Sequence, residues 1–177
     1  MIESCFWKEE LKRIACTITR MRKPPRWSER AHCVVERDLM IGFFLLRRLI
    51  ELNKVSSAIS DRQLQVFSYK SLGKPITRLN GWDIWELYDL ENEVAETKKP
   101  MYVSNQFIHA YTSLVCRDDT RNWSDVLIVS DYDRNDCIWR IPVATIRALF
   151  LDASDDYPYS LQYKFDPAKN DYEVITN

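Results

Sequence analysis

Glycine and histidine are scarce in this chain, which has three glycines (Gly42, Gly73, Gly81) and two histidines (His32, His109) among 177 residues. Average usage, about 7% glycine, would give roughly a dozen. Phosphate cradles made of backbone N–H groups need closely spaced glycines, because a Cβ blocks the approach. No two glycines here lie closer than eight positions. That excludes a P-loop and a dinucleotide-binding fingerprint. Two histidines do not furnish a histidine-rich metal site, and no serine has the glycine neighbours of a nucleophile elbow.

Other signals are equally absent. The five cysteines (Cys5, Cys16, Cys33, Cys116, Cys137) contain no Cys-x-x-Cys pair, and the expectation is reduced thiols buried as small hydrophobes. Cys33 adjoins His32, but neighbouring helix residues point about 100° apart, a poor arrangement for nucleophile and base. The longest apolar run, Leu39 to Leu46, covers eight residues, whereas spanning a bilayer takes ~20. Met1 to Trp7 lacks a basic stretch followed by an apolar run. A cytoplasmic protein with no membrane partner, cofactor or metal is expected.

What is present describes a single α+β domain over residues 1–177, helical in 1–53 and mainly β in 64–177. Trp7, Leu11, Ile14, Ile18 and Met21 recur at helical spacing, with Ser4 as candidate cap. Pro24-Pro25 ends that helix. Ser28 is the expected cap of a second helix reaching about Asn53, whose middle is apolar on every side and predicts a central, buried helix. From residue 64 a mainly antiparallel sheet is expected. Val126–Val129 and Cys137–Ile141 flank a turn at 131–136, and Pro142 leads a short helix over 143–151. Tyr159, Leu161, Tyr163 and Phe165 alternate with polar residues, the pattern of a half-buried strand in a closing hairpin. The segment 81–90 fits either period, and 91–100 reads as exposed and polar.

Charge is polarised along the chain. Residues 12–37 hold eight basic side chains against two acidic, and residues 118–177 six against twelve. Arg20, Arg22, Lys23, Arg26, Trp27 and Arg30 form a basic stretch able to contact a phosphate backbone, with Trp27 to stack. The same charge could instead pair with the acidic end of the chain. Arg26 and His32 also resemble the Arg-x4–6-His spacing of HEPN-type ribonucleases over seven residues, with Trp27 where that family has a polar residue. The resemblance implies His32 as acid/base and Arg26 as phosphate ligand.

Asn105, Gln106 and His109 place three hydrogen-bonding side chains in an apolar stretch, which predicts either a structural network or the floor of a pocket. Asp131-x-Asp133-x-Asn135 imitates a calcium loop, but Asp136 stands where glycine is needed and Pro142 where glutamate is needed, so a hairpin turn is expected. Asp152, Asp155 and Asp156 read as a solvated helix end. Glu96-Thr-Lys98 imitates a nuclease pattern without the apolar neighbours of a core strand.

The sequence points first to a non-enzymatic protein that binds a protein, a second copy or nucleic acid through its basic helices. The second expectation is a metal-independent RNA phosphodiesterase using His32 or His109. The third is a small-molecule binder built on Trp82, Trp85 and the Asn105–His109 region.

Overall fold

The computed structural model describes residues 3–18, 28–168 and 170–176. Two helices lead, α1 (Ser4–Thr17) and α2 (Glu29–Glu51). Leu11, Ile14 and Ile18 are buried as the spacing predicts, while Met21 and the Pro24-Pro25 stop lie outside the described residues. Ser4 is the first helical residue rather than the cap; Glu3 holds the cap position without a side-chain bond. Ser28 does cap α2, its hydroxyl accepting from Ala31 N at 3.2 Å.

The central helix buries Leu39, Gly42, Phe43, Leu46 and Leu49. Its burial is one-sided, since Ile41 and Phe44 on the outer face stay exposed. Phe43 stacks on Phe107 at 3.9 Å between centroids and meets Phe150 edge-on at 4.9 Å. Gly42 lets Phe150 in, because a Cβ there would lie 2.4 Å from the ring.

Five strands make one antiparallel sheet: β1 (Leu64–Lys70), β2 (Val94–Lys98), β3 (Ala110–Arg117), β4 (Trp123–Ser130) and β5 (Cys137–Pro142). Their order is β2-β1-β5-β4-β3. One-turn helices α3 (Ser57–Ser60) and α4 (Ile84–Leu87) precede β1 and β2. Helix α5 (Pro100–Ile108) carries the chain from the β2 edge to the β3 edge, and α6 (Val143–Asp155) follows β5. Alternation along the strands separates two cores. Val66, Val126, Ile128, Trp139 and Ile141 face α1, α2, α5 and α6. On the other face Tyr69, Val129 and Ile138 pack under Ile76, Ile84, Leu87 and Tyr88 from the β1–β2 connection.

Several expectations change. The 91–100 segment is largely exposed, as expected, but it also contains an edge strand, β2, with Lys98 and Glu96 paired at 2.9 Å. An edge strand needs no buried alternation, so its charged composition hid it. The C-terminal hairpin forms as β6 (Leu161–Asp166) and β7 (Asp171–Thr176), but Leu161, Tyr163 and Phe165 remain exposed because the pair forms a sheet of its own. Cys16 and Cys33 are exposed and Cys5, Cys116 and Cys137 half-buried, so none is a fully buried core residue; all five are free thiols. Among the described residues no helix is long and apolar enough to cross a membrane.

Candidate functional site

The β4–β5 turn, residues 131–136, is a hub between two cavities. Asp133 Oδ2 accepts from Tyr102 Oη and Gln106 Nε2, each at 2.7 Å, and Gln106 Oε1 accepts from Ser130 N at 2.9 Å. Burial, reinforced by the Asp133 carboxylate, pushes the Tyr102 phenol well above its ordinary range, so it stays a donor. On the other flank Arg134 Nη1 pairs with Asp131 at 2.8 Å, and its guanidinium lies over the Tyr111 ring at 4.4 Å. Tyr88 Oη donates to the Arg134 carbonyl at 2.8 Å. The calcium-like spacing is thus a hairpin turn whose Asp131 and Asp133 are paired within the protein. No group of three His, Cys, Asp or Glu suited to a metal exists among the described residues.

The larger cavity, about 680 Å³, is lined by Arg78, Gly81, Trp82, Ala110, Tyr111, Thr112, Asp131 and Arg134. Its 76–82 wall is pinned. Thr77 donates its N–H (2.7 Å) and its hydroxyl (2.9 Å) to Asn80 Oδ1, whose amide donates to the Pro75 carbonyl at 3.0 Å. Thr112 Oγ1 donates to the Gly81 carbonyl at 2.9 Å. A Cβ at Gly81 would press on Tyr111 and Thr112 at 3.2 and 3.3 Å, so glycine lets this loop seat on β3. Trp82, next in sequence, is presented to solvent, 69% exposed. The Tyr111 hydroxyl and Arg134 Nε are buried without a partner.

The smaller cavity, about 270 Å³, lies beside the end of α5, lined by Tyr102, Asn105, Gln106, His109, Ser130, Tyr132 and Asp133. The two expectations for the Asn105–His109 cluster divide between residues. All three line the cavity, but Gln106 is also held in a satisfied network, whereas Asn105 Oδ1 is unpartnered and His109 is exposed. Trp82 lines the larger cavity; Trp85, on α4, is exposed and lines neither.

His32 is elsewhere, half-buried and edge-on to Trp123 at 5.4 Å. The two histidines therefore share neither cavity. Arg20, Arg22, Lys23, Arg26 and Trp27 lie outside the described residues, and Arg30 is exposed at the start of α2. Much of the remaining basic charge is internally paired, with Lys12 to Asp155 at 2.9 Å, Arg13 to Glu10 at 2.6 Å and Arg37 to the buried Asp38 at 2.6 Å. The acidic helix end is engaged too. Arg62 pairs with Asp152 at 2.6 Å, and Asp156 accepts from Ser56 N and Oγ. Lys8, buried, sits over the Tyr157 ring and donates to the Asp156 carbonyl; burial lowers its pKa.

The larger cleft was hidden in the sequence because its walls come from 78–82, 110–112 and 131–134. A signal did exist in Arg78-Leu-Asn-Gly-Trp, a turn that places a basic and an aromatic residue around a glycine. Protein-family models, curated proteins and solved structures yield no match to this chain.

Proposed function

We propose that the protein acts by binding, and that its site is the cleft between the 76–82 loop, the start of β3 and the β4–β5 turn. Its volume, about 680 Å³, falls within the ~300–1,000 Å³ typical of small-molecule sites. The observation that carries the reading is the wall chemistry. An exposed indole, two arginines, a tyrosine and a single carboxylate line one cavity. An aromatic face beside convergent cationic donors suits a planar, anionic ligand. Arg78 has no ion-pair partner among the described residues, whereas Lys12, Arg13 and Arg37 on the basic helices are neutralised within the molecule.

A thermal-shift panel of nucleotides, sugar phosphates and aromatic carboxylates tests the reading. Binding to the native state raises Tm by mass action, and Arg78→Ala should reduce the rise. No rise with any compound, or a rise unaffected by Arg78→Ala, would remove the cleft from consideration.

One observation favours a second reading, contact of the helical half with a protein or a second copy. Phe6 on α1 and Ile41 and Phe44 on α2 are exposed. Light scattering of wild type and Phe44→Ser checks this: an oligomer dissociated by the substitution supports it, and an unchanged monomer removes self-association.

A further inference from the structure

We infer that the cleft receives a nucleoside monophosphate unit, its base laid against Trp82 and its phosphate held by Arg78 and Arg134. This rests on the binding reading above and deepens it to a ligand class.

The stacking half follows from Trp82. Its ring is left mainly in water, on backbone held from both sides: the Gly81 carbonyl accepts from Thr112 Oγ1, and Thr77 closes the preceding turn on Asn80. An exposed indole on pinned backbone beside a cavity is a platform for a planar ring, tolerant of base identity because every base has a π-face.

The anion half follows from the arginines. Arg78 and Arg134 come from segments far apart in sequence and converge on one cavity, where Asp131 is the lone lining carboxylate. Arg78 has no ion-pair partner among the described residues. Arg134 is already oriented by its stacking on Tyr111 and its pair with Asp131. Arg78 thus offers a guanidinium fork that matches phosphate oxygens, with the fixed positive charge of Arg134 beside it.

The size of the charge selects the ligand further. Two guanidiniums against one carboxylate suit a single phosphate. The scarcity of glycine agrees, because it leaves side chains rather than backbone N–H groups to hold the phosphate.

Such a unit can be a free nucleotide or the end of a single strand. Calorimetric titration of the full chain separates these, with the four common nucleoside monophosphates, adenosine, inorganic phosphate and single-stranded hexaadenylate as probes. At least one monophosphate should bind saturably, about tenfold or more tighter than adenosine or phosphate alone. Trp82→Ala and Arg78→Ala should each weaken it by about tenfold, with Tm unchanged because both side chains are exposed. Hexaadenylate binding with the same dependence on Trp82 and Arg78 assigns a strand end; monophosphate binding alone assigns the free nucleotide. Inorganic phosphate binding as tightly as every monophosphate, indifference to both substitutions, or no saturation below about 10 mM overturns the inference. If these probes fail while another panel compound still raises Tm in an Arg78-dependent way, the nucleotide class falls and the cleft stands. If both fail, both fall.

Discussion

Gln106 ties helix α5 to the β4–β5 turn with both ends of its amide, donating to Asp133 Oδ2 at 2.7 Å and accepting from Ser130 N at 2.9 Å. Gln106 is buried and His109, three residues on, is exposed. Gln106→Ala therefore leaves a buried N–H unsatisfied and should cost about 1–3 kcal/mol. His109→Ala should stay within about 0.5 kcal/mol of wild type. Urea denaturation of both variants checks the pair, and equal losses would contradict the division between network and cavity wall.

Gly42 makes room for a contact. An added Cβ meets the Phe150 ring at 2.4 and 2.6 Å, and that ring is itself wedged against Phe43 at 4.9 Å. Gly42→Ala should destabilise by about 1–3 kcal/mol through overpacking, although alanine favours helix by about 1 kcal/mol elsewhere. A stabilised variant in thermal melts would show that the α2–α6 contact is looser than the geometry describes.

The thiols should divide by reactivity. Burial, then the charges of Asp133 and Glu96, pushes Cys137 up to about 12, and burial likewise raises Cys116. Both remain thiols at neutral pH, and the thiolate is the reactive form. Cys16 and Cys33 are exposed. Iodoacetamide at pH 8 should label Cys16 and Cys33 first and reach Cys116 and Cys137 only on unfolding. Early labelling of Cys137, read by peptide mass spectrometry, would contradict this.

An ion-pair network gives the fold an acid limit. Arg140 joins Glu93 at 2.7 Å and Asp125 at 2.6 Å. The hydrogen bond from Arg140 chiefly holds the Glu93 carboxyl below its ordinary 4.5. A carboxyl depressed in the folded state contributes stability above its unfolded value, and that contribution is lost as pH falls through the folded value. The Tm advantage of wild type over Glu93→Gln should therefore persist at neutral pH and shrink below about pH 4.5. An advantage constant down to pH 3 would show that Glu93 is not linked to folding.

How much was legible depended on how far apart the determinants lie. The β4–β5 hairpin announced itself because strands and turn are contiguous, and Ser28 because a cap acts within one helical turn. Helix α5 did not, since it has nine residues and buries Val103 and Phe107 amid polar positions; Pro100 at its first turn was the available signal. Strand β2 was concealed by its exposed edge. The alternation of Leu161, Tyr163 and Phe165 predicted the hairpin correctly and its burial wrongly, because a pattern states which side chains share a face but not what covers it. Asn105 and His109 were found from local composition. Arg78, Tyr111 and Arg134 were not, since only the folded sheet brings them to one cavity.

The most direct measurement is hydrogen exchange of the full chain with and without the strongest stabiliser from the thermal-shift panel. Ligand should slow exchange in 76–82, 110–112 and 131–134. Slowing confined to 28–51 with those three segments unchanged would contradict the assignment and return the function to the basic helices.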